Sequence, residues 1–261
     1  MPPALARRTF LAAAGAAAGS LAAAAPTGGF FTGGDDRLRI GLVGCGGRGT
    51  GAAAQAAAAG GVRITALADL FADQVASALE MLRATAGRAL ECPASRRFAG
   101  AEAWRRLVES EVDAVILATS PDARPRQLAA AVAAGRHVFC EAPAAIDAAG
   151  AAEALRACRL AEERGLSIGS GLAWRHDPAT AQLIEAVRHG AYGRPVAARA
   201  ASRIGLPWRA AGGDARDWIS CAARSGGDLV EHQVHAIDKA LWAFGDGPPV
   251  VAEPLASPGH S

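Results

Sequence analysis

The sequence predicts an α/β chain: a doubly wound parallel sheet of the Rossmann type, followed by a partial α/β second domain built on an open sheet. Three observations carry this. Short apolar runs alternate with helical patterns from Arg37 to Gly169. The first run, Arg39-Ile-Gly-Leu-Val43, enters a turn in which Gly44, Gly46 and Gly49 match G-x-G-x-x-G. The second run, Val62 to Ala68, ends in an acid, Asp69, which lies 20 residues after Gly49. A dinucleotide-binding βαβ unit needs that order of strand, turn, helix, strand and acid.

Each glycine has its own task. The first permits the tight turn, the second removes a Cβ that would block a pyrophosphate, and the third lets the following helix pack close to the strand. Gly47 and Arg48 lie inside the turn. A helix from about Thr50 to Ala59 would aim its free N–H groups and the positive end of its dipole at the phosphates. An acid at 69 accepts hydrogen bonds from the adenosine ribose and repels a 2′-phosphate. With no Arg at 70 or 71, NAD is expected rather than NADP.

The remaining elements follow in order. Phe71 to Thr85 reads as a helix with Val75, Leu79 and Leu82 on one face, and 87–99 as a loop. Ala101 to Glu109 is a helix with Trp104, Leu107 and Val108 inward. Val112 to Ala118 is a buried strand ending at Thr119, Ser120 and Pro121, where the cofactor crevice of an open sheet lies. Ala123 to Ala134 is a helix ended by Gly135. Arg136 to Glu141 is a strand running into Ala142-Pro143. Asp147 caps a long helix that Gly165 closes, and Leu166 to Gly169 is a last short strand. Beyond Gly171 the texture changes. Trp174-Arg-His-Asp-Pro178 opens a helix ending near His189, Pro195 to Arg203 reads as a strand, and 206–225 is loop-rich with Trp208 and Trp218. Residues 225–245 read as one helix. The domains expected are therefore 1–34 as leader and linker, 35–170 as the nucleotide domain, and 171–261 as a partial substrate and oligomerisation domain.

A net charge of +2 gives no reason to expect nucleic acid or an anionic membrane as partner. The five cysteines are scattered without a C-x-x-C pair and read as small buried hydrophobes, not as a disulfide framework or zinc site. Of 27 basic residues only Lys239 is a lysine, a compositional bias toward arginine. Arg7-Arg8-Thr9-Phe10-Leu11 resembles a twin-arginine export signal. The alanine-rich stretch after it is too short to span a bilayer. Export to the periplasm is expected, with no membrane span in the mature form and a linker from Pro26 to Asp36.

Taken together, Gly44-x-Gly46-x-x-Gly49, Asp69, Thr119-Ser-Pro121, Gly135-Arg-His-Val-Phe-Cys-Glu-Ala-Pro143 and the 225–245 stretch resemble the Gfo/Idh/MocA family. The resemblance covers Arg39 to roughly Pro249. The leader, Gly171-Leu-Ala-Trp-Arg-His-Asp-Pro178 and Val230 to Trp242 are similar to exported bacterial members. The family consists of nicotinamide-dependent oxidoreductases related to glucose-fructose oxidoreductase and inositol dehydrogenase. It implies a Rossmann domain, then a domain whose large open sheet presents a sugar or polyol site and often forms a homo-oligomer. About 90 residues remain after 171, fewer than that sheet needs.

The resemblance also implies site residues. Glu141 and Pro143, with Thr119, Ser120 and Pro121, would line the nicotinamide end. A later helix would carry an acid and a histidine four residues apart. Glu231 and His235 have that spacing, and i and i+4 share a helix face, with Asp238 continuing it. Hydride transfer from an alcohol needs a base for the hydroxyl proton. His235 is the expected base and acid, with Glu231 positioning it or a sugar hydroxyl. Trp174, Arg175 and His176 are candidates for stacking on and bonding a sugar, and His232 is a further substrate candidate. A metal site from Glu231, His232 and His235 is not expected, because two histidines at i,i+3 with no distant ligand make a poor cage. The family's lysine in Glu-Lys-Pro is here Ala142. Lys239, near a helix end, is expected to complement the dipole in solvent. Three readings stand: an NAD-dependent sugar or cyclitol oxidoreductase, an NAD-dependent glycoside hydrolase of the same superfamily, and a truncated or impaired nucleotide-binding homologue.

Overall fold

The computed structural model describes residues 37–200 and 216–245, with 247 and 251. The leader, the linker and Trp208 lie outside the described residues. Six strands form one parallel sheet in the order β3-β2-β1-β4-β5-β6. They are β1 Leu38–Val43, β2 Val62–Asp69, β3 Arg97–Ala99, β4 Ala114–Leu117, β5 His137–Cys140 and β6 Ile168–Ser170. Five helices cross between them: α1 Gly47–Ala59, α2 Ala72–Thr85, α3 Ala103–Glu109, α4 Arg124–Ala133 and α5 Ala148–Glu163.

The sheet is apolar on both faces because both faces are covered. On one side Ile40, Leu42, Ile64, Leu67 and Ile116 meet Ala52 and Ala53 of α1 and Val75, Leu79 and Leu82 of α2. On the other, Val43, Val115, Leu117 and Val138 meet Trp104 and Leu107 of α3, Leu128 and Val132 of α4, and Ala154 and Ala157 of α5. Gly41 sits mid-strand because Leu107 packs onto it: a Cβ there would lie 2.5 Å from Leu107 Cδ2. The punctuation read from the sequence operates as expected. Asp147 caps α5 by accepting from Gly150 N at 2.7 Å, and Gly135 and Gly165 end their helices at φ 75° and 66°.

Three expectations are corrected. The loop at 87–99 contains β3, which pairs with Leu67–Asp69. Three residues are too few to show a period. The stretch expected as a strand from Pro195 joins no ladder through 200, and 201–203 lie outside the described residues. A strand needs a neighbour; Val196 is 90% exposed, and residues 195–200 pair with no strand among the described residues. The single helix expected at 225–245 is two, α8 Gly227–Glu231 and α9 Val234–Phe244, preceded by a one-turn α7 Ala222–Ser225 at the end of the loop-rich stretch and, earlier, by α6 Pro178–Arg188. Gly226 and Gly227 adopt φ of 77° and 78°, off the right-handed helical path. Past Ser170 the described residues are helical or irregular and contain no strand. No described helix is long and apolar enough to cross a membrane.

Candidate cofactor crevice and active site

The crossovers change direction between β1 and β4, and ligands of such sheets bind outside the C-terminal strand ends there. The glycine turn sits at this point. Gly44 has φ 94°, and a Cβ on it would lie 2.5 Å from the carbonyl carbon of Ala118 at the end of β4. A Cβ on Gly49 would run into the Gly44 carbonyl oxygen. A Cβ on Gly46 or Gly47 would meet nothing within 4 Å. Those two glycines therefore leave open space at the helix entrance. α1 begins at Gly47, a turn earlier than expected, so the N–H groups of Gly47, Arg48 and Gly49 are the ones its first turn leaves unpaired. This open, donor-lined cradle fits a pyrophosphate.

Asp69 ties β2 to the turn. Its Oδ2 accepts from Cys45 N at 2.7 Å and its Oδ1 from Phe71 N at 2.9 Å. A carboxylate accepts about four hydrogen bonds, so capacity remains for ribose hydroxyls. At the end of β4, Thr119 Oγ1 donates to Gln127 Oε1 at 2.6 Å, and Ser120 and Pro121 are buried.

Glu141 leaves the end of β5 with its side chain 7% exposed. Arg48 reaches it from the glycine turn: Arg48 Nε donates to Oε1 at 2.7 Å and the terminal nitrogen lies 2.6 Å away. Gly171 makes room for this carboxylate, because a Cβ there would collide with Glu141 Oε2. Beneath the Glu141–Pro143 turn lies Arg124, 4% exposed. Its guanidinium donates to the carbonyls of Glu141 at 3.3 Å and Pro143 at 2.6 Å. Burial pushes Arg124 down from its ordinary value.

The helical segment docks on these strand ends. Arg224 of α7 donates to Ser120 Oγ at 3.1 Å and faces Asp122 Oδ2 at 3.6 Å, while Asp122 N donates to Arg224 O. Glu231 then follows at the end of α8. Burial holds its carboxyl above the usual range; Arg124 and His232 pull it back and Glu141 pushes it further up. Glu231 Oε2 and His235 Nδ1 are buried and have no hydrogen-bond partner among the described residues.

The break between α8 and α9 corrects the argument that Glu231 and His235 share one continuous helical face. Asp228 collects the groups at the break, Gln233 N binding it out of α-helical register. Its carbonyl accepts from His232 N and Gln233 N, and its carboxylate meets His232 Nδ1 at 2.9 Å and Gln233 Nε2 at 3.3 Å. His232 is thereby turned to Asp228. Asp238 does not continue the Glu231 face. It is buried and takes a bidentate pair from Arg175 at 2.7 to 3.1 Å, with the guanidinium 5.2 Å over the Trp242 ring. Lys239 is not left in solvent at the helix end but stands 4.0 Å over the Trp174 ring. Trp174 and Arg175 thus engage α9, and His176 is exposed. The structure brings together the glycine turn, Asp69, Thr119–Pro121, Glu141, Pro143 and Glu231. His232 lies beside Glu231 but is turned to Asp228, and Trp174 and Arg175 pair with Lys239, Asp238 and Trp242 of α9.

Sequence reasoning missed Arg124 and Arg224. Arg124 stands in an arginine-rich chain at a polar-looking helix start, and its partners are backbone carbonyls, which carry no residue-type signal. A separate cavity of about 270 Å³ opens on the α1 side of β4 and β5, lined by Ala52, Ala56, Ile116 and Phe139, and Arg48 is the lining residue it shares with the crevice. No cluster of three metal-ligating side chains is found among the described residues.

Comparison with known proteins agrees with this geometry. Residues 38–171 match the Gfo/Idh/MocA model described as "Oxidoreductase family, NAD-binding Rossmann fold". The chain is 31% identical over 145 residues to a 1,5-anhydro-D-fructose reductase of Ensifer adhaerens, covering 54% of this chain and 40% of that protein. It is 33% identical over 113 residues to a glycosyl hydrolase family 109 protein of Bacteroides fragilis, covering 42% of this chain and 23% of that protein. The chain thus spans less than half the length of these curated relatives. Among solved structures, KijD10, a 3-ketoreductase from Actinomadura kijaniata, superposes with a TM-score of 0.59 at 23% identity, over 80% of this chain and 58% of that one.

Proposed function

The chain belongs to the Gfo/Idh/MocA oxidoreductases with the NAD-binding Rossmann fold, and from that premise we propose that it moves a hydride between NAD and a hydroxyl-bearing carbon of a sugar or cyclitol. The observation that carries the reading is a pair of buried atoms, Glu231 Oε2 and His235 Nδ1, without a partner among the described residues, on the segment that docks on the strand ends through Arg224, Ser120 and Asp122.

The N–H groups of Gly47, Arg48 and Gly49 hold the pyrophosphate, and Asp69 takes the adenosine ribose. Thr119–Pro121 and Glu141–Pro143 flank the nicotinamide end. When bound, the dinucleotide supplies the acceptor or donor of the hydride. The protein's own task is the proton. Ala142 has no ionisable side chain, so the hydroxyl proton falls to His235 as base, with Glu231 holding His235 or a neighbouring sugar hydroxyl. Both side chains carry a buried atom without a partner among the described residues, and a substrate hydroxyl is the kind of group that satisfies such atoms. The resemblance to a reductase of an anhydro-sugar supports the substrate class.

The test is a screen of aldoses, ketoses and inositols with NAD, following NADH formation. Turnover lost in Glu231→Gln and His235→Ala is the expected result. Turnover unaffected by both substitutions contradicts the assignment. Ala142 and the likeness to a family 109 glycosyl hydrolase favour a second reading, glycoside cleavage with NAD retained. Release of the aryl group from aryl glycosides without net NADH selects it. Arg7-Arg8-Thr9-Phe10-Leu11 supports twin-arginine export to the periplasm. A reporter fused after residue 36 that stays in the cytoplasm contradicts that part. A homo-oligomer through a second-domain sheet belongs to the same reading, and a monomer in sedimentation contradicts it.

A further inference from the structure

Residues 216–224 run along the C-terminal ends of the strands and are fastened at both ends by arginines. At one end the Arg216 guanidinium makes a bidentate pair with Asp73 in the first turn of α2, at 2.9 and 3.0 Å, and lies 4.4 Å over the Phe71 ring. Phe71 N is itself held by Asp69, the acid that closes β2. At the other end, just past β4, Arg224 donates to Ser120 Oγ at 3.1 Å and faces Asp122 at 3.6 Å, and its carbonyl accepts from Asp122 N. In the sheet order β1 stands between β2 and β4. Two strand spacings, about 10 Å, separate the ends of β2 and β4, and the nine residues cross that gap while folded on themselves. Ser220 Oγ donates to Asp217 Oδ1, Cys221 N to Trp218 O, and Arg224 N to Cys221 O. The strand that ends beneath this crossing is β1, which runs into the glycine turn.

We infer that residues 216–224 are a strap across the dinucleotide crevice and that the Arg216–Asp73 pair is its latch. The strap starts beside Asp69, at the adenosine end, and finishes where β4 lines the nicotinamide side, so a dinucleotide seated on the glycine turn lies under it. The two fastenings differ. The side chains of Arg216 and Asp73 are 42% and 57% exposed, and a pair this open to solvent contributes little and is the easier to break. Those of Arg224 and Asp122 are 30% and 32% exposed and are joined through the backbone as well. Ser225, next to Arg224 and 1% exposed, stiffens that end by donating to Cys221 O and accepting from Gly227 N. The Asp73 end therefore opens and the Ser120 end is the hinge. The latch sets how fast the cofactor enters and leaves, while the choice of cofactor stays with Asp69. The inference rests on reading the crevice as the NAD site.

The test is stopped-flow fluorescence of NADH association and release on the full chain, for wild type, Asp73→Asn, Arg216→Gln and the double variant. Hydrogen exchange of the 217–223 amides is measured on the same proteins with and without NADH. Either substitution speeds association and release together by roughly two- to fivefold, the range an exposed pair supplies, so affinity changes less than the rates. The double variant is no faster than the singles, because both break one latch. Added salt speeds release from wild type and closes its gap to the variants. Without nucleotide, the 217–223 amides exchange faster in each variant than in wild type, and NADH slows them in wild type. Equal release rates in all four proteins overturn the inference, and additive effects of the two substitutions overturn the latch. Binding that appears only in the variants means that the strap fills the crevice, and overturns the inference as well. Wild type that binds NADH without protecting 217–223 sinks the strap and leaves the proposed function standing. No NADH binding in any of the four proteins, with 217–223 loosened by either substitution, sinks the function and leaves the latch.

Discussion

Arg48 and Glu141 form an ion pair of 2.6 Å that joins the glycine turn to the end of β5, across the point where the sheet changes direction. They are 93 residues apart in sequence. Glu141 is nearly enclosed and Arg48 is half open to solvent, so the pair is neither a free surface contact nor a fully buried one. Removing the arginine leaves a buried carboxylate without its partner, which costs more than the pair contributes.

Arg48→Ala is therefore expected to lower stability by about 1–3 kcal/mol, and Glu141→Gln by less, because a neutral amide tolerates the loss of Arg48. Combined, the two substitutions cost less than their sum. Urea unfolding of the four proteins checks this. Additive losses contradict a direct pair.

Glycines at 46 and 49 separate binding from folding. Gly46 stands at the N-cap of α1 with φ −68°, a conformation any residue adopts, and a Cβ there meets open space. Gly46→Ser should hold or raise Tm, serine being a good N-cap. It should also weaken NAD binding by about tenfold, or ~1.4 kcal/mol, because the side chain occupies the pyrophosphate cradle. Gly49→Ala should instead cost roughly 1–3 kcal/mol of stability through overpacking against Gly44. Calorimetric titration and thermal melts distinguish the two. Equal affinity for NAD in Gly46→Ser sinks the cradle.

Glu231 has a definite pH signature. Its carboxyl is raised by burial, so its neutral form favours the folded state. That stability is full below the ordinary glutamate value, and it is lost as pH rises through the raised folded value. Glu231→Gln should melt a few degrees above wild type at pH 8 and at the same temperature at pH 4. A variant less stable than wild type at pH 8 contradicts the burial argument.

Asp113 works in the other direction. Arg39 donates to it from its backbone N at 2.8 Å, from Nε at 3.0 Å and from a terminal nitrogen at 2.7 Å. These bonds hold the Asp113 carboxyl below the usual range. Its stabilisation is present above the ordinary aspartate value and is lost as pH falls through the depressed one. Asp113→Asn should cost about 1–2 kcal/mol at pH 7, and the gap should narrow below pH 4. Chemical unfolding at the two pH values measures it.

Local chemistry was legible in the sequence. The glycine turn, Asp69 and the caps at Asp147, Gly135 and Gly165 act through their own backbone and near neighbours, so residue type and spacing reveal them. The sheet half was legible for the same reason, except β3, whose three residues earn their place only by pairing with β2. The helical segment was not. The positive φ of Gly226 and Gly227, and the shift of Gln233 N out of α-helical register onto the Asp228 carbonyl, interrupt a stretch whose composition reads as one helix. Arg175 and Asp238 are 63 residues apart, and nothing in the local pattern announces their pairing. Arg124 bonds to carbonyl oxygens, which every residue has. Site residues on rigid strand ends were thus readable, and those whose meaning depends on a distant partner were not.

The most direct measurement is calorimetric titration of the purified chain with NAD and, separately, NADP, after denaturing a sample to assay for nucleotide carried through purification. About one NAD per chain is expected, with NADP weaker by at least about tenfold, because Asp69 receives ribose hydroxyls and repels a 2′-phosphate. A protein that is empty and binds neither nucleotide, or one that binds NADP as tightly as NAD, contradicts it.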